Sequence, residues 1–498
     1  MFHYRVLQEI IKPVDRLSQK SGQENQIALL SGFPRTTVAT PFHPALQIVE
    51  TSFADKEAVC NIVDYGAVSD GLTKNTNAFA KAIDQCAQAG GGTVLVPVGT
   101  WLTGAIHLKS NINLHVDKDA VVLFSTDLND YLPVVFSRFQ GVEYYNYSSP
   151  IYAQDCDNVA ITGEGTIDGQ GENTWWDFSG LAVTELYQMG ADNVPVGKRV
   201  FGTEQAGLRP SFIEFVNCNA VLMQDVKIVN GPMWTIHPLY SQNVIVRGVS
   251  IMTGPGQSLD GITIDSTSNV LVENTVLSTG DDAIAIKSGR DADGKRVGRP
   301  SENIVIRNNT IDEAHAALAI GSEVSGDVHN VYASNFSVVD AKYGLRIKAA
   351  PERRGRVEGI WLENMKMRST SDAALVIDLL YDNPQVVDAG AASSVKNVHV
   401  SHVVSGSSKL PIFIQGVDQT KINDISFDDL DIVSNNGIFI ADASDVLIKD
   451  MRYASTKKKK PPTATVKDSS RIRFENTSLP RERVTCINCT YDIVKTPE

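Results

Sequence analysis

From about residue 155 the chain keeps returning to one arrangement of apolar and polar positions. An asparagine or other polar residue is followed by three to five alternating β-formers, a polar break and a second short run. NVAITGEGTID at 158, NAVLMQDVKIVN at 219, NVIVRGVSIMT at 243, NVLVENTVLS at 269, NIVIRNNTID at 303 and NVYASNFSVVD at 330 carry it. GIWLENMKMRS at 359, NVHVSHVVSGS at 397, DISFDDLDIVS at 424, DVLIKDMRYAS at 445 and RIRFENTSLP at 471 continue it, most steps falling between 21 and 38 residues. A fixed theme with elastic spacing is the signature of a solenoid whose loops vary from coil to coil. Strands this short without intervening helices argue for an all-β, right-handed parallel β-helix over a helical or leucine-rich solenoid. A propeller needs roughly 40–45 residues and four strands per blade.

Upstream, DYGAVSDGLTKNTNAFAKAIDQCAQAGGGTVLVPVGTWL changes period. Asn75 or Thr76 is placed to cap an amphipathic helix running to about Ala89, ended by Gly90, Gly91 and Gly92, with TVLVPVG as the next strand. An open solenoid end exposes an unpaired edge, and this helix suits a cap over it. The expected organisation is an N-terminal extension over residues 1–58 and one β-helix domain over 59–498. Within that domain the cap occupies about 59–110, and loop insertions fall near 125–150, 172–209 and 288–301.

Composition is that of a globular protein, with 42% hydrophobic and 21% charged residues. A formal net charge of −13 argues against nucleic acid as partner. No run of about 18 apolar residues predicts a membrane span. The first 20 residues lack the apolar core of a signal peptide, giving the expectation of a cytoplasmic protein, or a secreted or periplasmic one if a leader precedes this chain. Six cysteines are few for a disulfide framework. Cys486 and Cys489 form a lone CxxC read as ordinary thiols, and KKKKPP at 457–462 as a solvated loop.

The stretch STGDDAIAIKSG sets Asp281 beside Asp282 at the head of an apolar strand. Simple alternation gives Asp282 the face of Ile284 and Ile286, which is costly for a carboxylate unless a partner or a bulge intervenes. Residues one coil apart stack at about 4.8 Å. Asp260 lies 21 residues before Asp281, His315 a longer coil beyond, and Arg346 and Lys348 a further coil along, two apart on one side of their strand. Three carboxylates, an imidazole, a guanidinium and an ammonium on consecutive coils suit glycosidic hydrolysis, which needs one protonated and one ionised carboxyl. Crowding raises the pKa of one of the carboxyls. Arg346 and Lys348 would hold a carboxylate on the sugar, in a segment where Arg353, Arg354 and Arg356 add positive charge against Glu352 alone.

SLD at 258–260, GDD at 280–282, AHA at 314–316 and RIK at 346–348 follow the order of the four signatures NTD, GDD, GHG and RIK. With DYGAVSDG, LTGAIHLKSNINLHV, GTIDGQG, GPMWTIHP and IGSEVSG, they make residues 60 to about 365 resemble the polygalacturonase family of glycoside hydrolases, family 28. That resemblance implies an inverting hydrolase of α-1,4-linked galacturonate in pectic poly- or oligosaccharides, without metal or organic cofactor. It implies Asp281 as general acid, Asp260 and Asp282 as the pair that positions and deprotonates water, and His315 as the residue that tunes the acid. Arg346 and Lys348 become the binders of the galacturonate carboxylate. Trp234, His237 and Lys287 complete the candidate substrate contacts, and Tyr144, Tyr145, Tyr147, Trp175 and Trp176 are candidate stacking platforms.

Two departures stand out. Ser258 and Leu259 replace the Asn and Thr of NTD, and Ala314 and Ala316 replace both glycines of GHG. QGVEYYNYSSPIYA and the insertion Glu172–Arg209 resemble bacterial and plant-like members, and long loops there predict a cleft closed at one end and exo action. The alternatives are a rhamnogalacturonan-type hydrolase, a calcium-dependent pectate lyase and a non-catalytic polysaccharide-binding β-helix. The sequence alone leaves the oligomeric state open.

Overall fold

A computed structural model describes residues 48–53, 58–176, 178, 181–203, 205–381, 392–418, 420–455 and 462–495. Most of the expected N-terminal extension and the KKKKPP run lie outside the described residues.

The strands stack coil on coil in parallel register. Ile213–Val216 pairs with Ile236–Leu239, which precedes Ile262–Asp265, then Ile284–Lys287 and the end of Ser301–Ile320. Val328–Lys348, Arg356–Asp378 and Ser394–Gln415 continue the same column. Inward positions form one continuous core, from Cys60 and Ile62 through Ile262, Ile284, Leu318, Leu345 and Leu375 to Phe474. This is why no coil is stable alone: each buries its apolar row only against its neighbours.

The recurring asparagine has a double role. Asn158, Asn243, Asn269, Asn303 and Asn330 all stand near φ 55, the left-handed corner where the chain turns into the next strand. Their amides then bond from coil to coil: Asn243 donates to Asn219 at 2.8 Å, Asn303 to Asn269 at 3.4 Å and Asn330 to Asn303 at 3.2 Å. A second ladder runs from Asn364 through Asn335 to Asn308.

The cap helix spans Thr76–Gln88 and buries Ala78, Phe79, Ala82, Ile83 and Cys86 on the first coil. Asn75 occupies its N-cap position, yet the side chain bonds the backbone of Val68, Thr73 and Leu102 instead of the helix N–H groups. Cys60 and Cys86 form a disulfide joining the first strand to this helix, and Cys486 and Cys489 form another. Four of six cysteines are therefore paired, and Cys486 and Cys489, expected as thiols, are joined across three residues, while packing of the cap helix on the first strand brings Cys60 and Cys86 together.

The insertions are ordered and lie together. Val135–Phe139 and Val142–Asn146 make an antiparallel hairpin, Leu181–Ala191 is a helix, and Asp291–Val297 a shorter one. Asp293 fastens them: one carboxylate oxygen accepts from the Glu143 N–H at 2.9 Å and the other from Arg199 at 2.8 Å. Phe139, Tyr144, Leu186, Phe201 and Trp234 form their own apolar cluster beside the main core.

Candidate active site

The strand after GDD begins only at Ile284, and residues 280–283 bend. Gly280 sits so close to the preceding coil that a Cβ would lie 2.4 Å from the Gly254 carbonyl oxygen, so the turn needs glycine. The bend breaks the alternation that would have sent Asp282 inward. Its carboxylate instead meets Lys348, whose Nζ donates to Oδ2 at 2.8 Å, while His315 Nδ1 stands 3.3 Å from Oδ1. Partner and bend together resolve the cost of two adjacent aspartates.

Asp281 faces the opening. Its side chain is 24% exposed against 1% for Asp282. Backbone N–H groups hold its carboxyl from two sides, Ser258 at 2.7 Å and Asp282 at 3.0 Å, and His315 Nδ1 lies 3.6 Å away. Asp260 is 2% exposed. Ile262 pairs with Ile284, so Asp260 comes opposite Asp282, and the 21-residue step that was to stack it on Asp281 is one residue short. The His315 N–H donates to the Asp281 carbonyl at 3.0 Å, setting the imidazole over that residue. Arg346 and Lys348 pair with positions beyond Ala316 in the coil below, and their long side chains bring the charges back to the group.

The environments push two carboxyls in opposite directions. Burial, and after it the neighbouring Asp281, raise the pKa of Asp260 well above the ordinary carboxyl range, which favours its protonated form. Burial opposes ionisation of Asp282 as well, but the Lys348 ammonium, His315 and Lys287 overcome it and keep this carboxylate far below the usual value. The pair expected to position and deprotonate water is thus pushed in opposite directions, Asp282 toward its ionised form and Asp260 toward its protonated one. Oxygens of Asp281 and Asp282 and a nitrogen of His315 lie within 4.8 Å of one another, a set that also suits a cation. Here Lys348 already supplies the positive charge on Asp282.

Arg346 forms no ion pair among the described residues. Its guanidinium lies 4.1 Å from the Tyr343 ring and 5.1 Å from the Tyr381 ring, with Nη1 3.3 Å from His315 Nδ1. Both are buried, Arg346 at 9% and Lys348 at 5% exposure, but Lys348 is committed to Asp282. The expected pair of carboxylate binders is thus divided, Arg346 having no carboxylate partner among the described residues and Lys348 serving the buried aspartate.

Three further candidates lie beneath the site. His237 is 0% exposed between Glu214 at 3.2 Å and Asp265 at 3.6 Å, and its Nδ1 meets the Ser211 hydroxyl at 2.9 Å. Burial disfavours its charge, but the two carboxylates prevail and raise its pKa. Lys287 donates to Glu323 at 3.0 Å and to the Gly321 carbonyl at 3.1 Å, with the Trp234 ring 5.0 Å from its ammonium. Glu323, deeply buried, is held at about 2 by Lys287, Arg290 and Arg353. Trp234 is 2% exposed and packs in the insertion cluster. Trp234, His237 and Lys287, read from the sequence as substrate contacts, are all buried and engaged with partners inside the protein, forming with Glu214, Asp265 and Glu323 the floor beneath the carboxylates. Tyr144, Tyr147 and Trp175 are likewise buried, while Tyr145 and Trp176 are half-buried.

Arg209 carried no signal in the sequence, since it belongs to an insertion and not to the coil rhythm. It forms no ion pair among the described residues and donates only to the Gln257 carbonyl at 3.0 Å. Burial lowers its pKa, while Asp260 and Asp281 pull the other way, which sets it near those two carboxyls. Tyr343, Tyr381 and Glu323 also escaped the sequence reading, although Glu323 lies in the IGSEVSG stretch.

Residues 196–478 match the sequence model of glycosyl hydrolases family 28, and residues 59–121 match a rhamnogalacturonase A/epimerase, pectate lyase-like model. The chain belongs to glycosyl hydrolases family 28. It is 38% identical to a hyperthermoactive exopolygalacturonase from Thermotoga maritima, with a TM-score of 0.72 covering 82% of this chain and 92% of that one. A probable polygalacturonase of Vitis vinifera is 29% identical over 87% of this chain and 86% of its own length. An exo-poly-alpha-D-galacturonosidase of Dickeya chrysanthemi is 29% identical over 85% and 77%. As in these family 28 relatives, the stacked sheets form a right-handed parallel β-helix, and the protein is a glycoside hydrolase.

Proposed function

We propose that this family 28 hydrolase removes terminal galacturonate from α-1,4-linked poly- or oligogalacturonides with inversion of configuration. The observation that carries the reading is the split among the three aspartates: Asp281 partly exposed, Asp282 buried on Lys348, and Asp260 buried without a cationic hydrogen-bond partner among the described residues and pushed toward its protonated form. Asp281 donates a proton to the departing glycosidic oxygen. Asp282 takes the proton of the attacking water, and protonated Asp260 holds that water by a hydrogen bond. Oxygens of Asp281 and Asp282 come within 4.8 Å of one another, inside the roughly 6.5–9.5 Å usual between acid and base in inverting enzymes, so inversion is carried here by the family resemblance and tested by the product anomer.

Arg346 meets the carboxylate of the reacting sugar. His315 Nδ1 lies 3.3 Å from both Arg346 and Asp282, and one ring nitrogen cannot accept from the first while donating to the second. A substrate carboxylate that draws Arg346 away leaves Nδ1–H to Asp282. Galacturonate binding thereby orders the base side of the site.

Exo action follows from the insertions. The hairpin turn at Gln140 and the helix Leu181–Ala191 reach Ser258 beside Asp281 and wall off that side of the cleft. Product analysis on polygalacturonate tests this: monomeric galacturonate from the first time points, released as the inverted anomer by NMR, is the expected result. Random mid-chain scission removes the exo reading, and an unsaturated, ultraviolet-absorbing product that vanishes with chelator removes hydrolysis in favour of calcium-dependent elimination.

Arg209 extends the same reading to a second anionic group. Arg209→Gln is expected to raise KM for trigalacturonate about tenfold with a smaller change in kcat, since a charge-assisted contact contributes about 1.5–3 kcal/mol. Equal KM values for variant and parent would remove Arg209 from substrate binding. For compartment, the Cys60–Cys86 and Cys486–Cys489 disulfides favour an oxidising location over the cytoplasm.

A further inference from the structure

Ser258 stands where the family signature has asparagine, and it adopts φ 60, a conformation unfavourable for a serine. That conformation aims its N–H at Asp281 Oδ2, 2.7 Å away. The hydroxyl of the same serine accepts from Gln140 Nε2 at 2.9 Å. Gln140 occupies the tip of the hairpin between Val135–Phe139 and Val142–Asn146, itself at φ 44. Its carbonyl oxygen accepts from the Tyr187 hydroxyl, on the helix Leu181–Ala191. The Tyr187 ring lies 4.1 Å from the Arg290 guanidinium, and the Arg290 N–H donates to the Gly141 carbonyl at 3.0 Å. Two insertions and the loop after Lys287 therefore converge on Ser258, the residue whose backbone N–H holds the general acid.

From this we infer that Gln140 and Tyr187 are positioning residues for Asp281, and that the insertions orient the acid as well as closing the cleft. Removing the Gln140 amide frees the Ser258 hydroxyl and lets the strained Ser258 backbone relax. Its N–H then leaves Oδ2, and the carboxyl loses the constraint that points its other oxygen toward the glycosidic bond. The cost falls on proton donation and not on binding, because neither side chain reaches Arg346 or the Asp282–Lys348 pair.

The inference rests on Asp281 being the acid, and the test separates the two. Digalacturonate has a poor leaving group that needs a proton; 4-nitrophenyl α-galacturonide has a good one that does not. Gln140→Ala and Tyr187→Phe are expected to lower kcat on digalacturonate about tenfold, a part of the 10²–10⁴ that general acids supply, with at most about a twofold loss on the aryl substrate and unchanged KM. Tyr187→Phe removes one oxygen and keeps the ring on Arg290, so it carries the test should Gln140→Ala fail to fold. Equal losses on both substrates, or none on digalacturonate, overturn the positioning role. Asp281→Asn serves as reference: if it too loses equally on both substrates, the acid assignment falls and the proposal with it. If it discriminates and the other two do not, only the proposal falls.

Discussion

Asp281→Asn is expected to lower kcat on trigalacturonate by about three orders of magnitude, within the range that a positioned general acid contributes. The substitution is close to silent for the fold. The asparagine carbonyl can still accept one of the N–H groups, from Ser258 or Asp282, that hold the Asp281 carboxyl. With the side chain 24% exposed, no buried charge is stranded. What disappears is the proton for the leaving oxygen. Steady-state rates beside thermal unfolding separate these effects, and a variant retaining more than about a tenth of parental kcat would show that another group protonates the leaving oxygen.

Lys348→Met should produce the largest loss of stability in the site. Lys348 and Asp282 are 6% and 1% exposed, and removing one partner of a buried pair costs about 3–5 kcal/mol because the other charge stays buried. The pH dependence fixes the cause. In the parent, Lys348 depresses Asp282, so this contribution to stability is present above the ordinary carboxylate value and lost as pH falls toward the depressed one. In the variant burial dominates, Asp282 binds its proton more readily, and the penalty grows as pH rises. The gap in denaturant stability between parent and variant is therefore expected to be widest at neutral pH and to narrow toward about pH 4. A gap that stays constant with pH would mean that lost packing of the lysine stem, and not the stranded carboxylate, is responsible.

The coil rhythm was legible because it is imposed locally: every coil needs its own apolar row and its own left-handed corner, and asparagine serves that corner in a sequence-visible way. The cap helix was legible for the same reason, from its buried face and the glycines that end it. Asp260, Asp281, Asp282, His315, Arg346 and Lys348 are brought together because the stacking that builds the core also superposes these positions. Register was less legible. Counting residues put Asp260 opposite Asp281, but this coil is 22 residues long and places it opposite Asp282, and a theme with elastic spacing does not fix the length of a single coil.

Side-chain fate was the least legible. His237, Lys287 and Trp234 sit in stretches resembling family motifs, yet Trp234 packs in the cluster of the hairpin and the helix Leu181–Ala191, His237 is held between Glu214 and Asp265, and Lys287 is spent on Glu323. Arg209, Gln140 and Tyr187 lie in insertions with no repeat to place them, and their importance comes only from where those insertions land. The amino-acid order by itself thus determined a stacked β-helix and the reactive residue types that face one groove, since short-range pattern and coil pairing carry that information. Tertiary structure decided which carboxyl is pushed toward ionisation, which toward protonation, and which basic groups already have a carboxylate partner. Those properties depend on burial and on charges from distant coils and loops, and neither is written in local sequence.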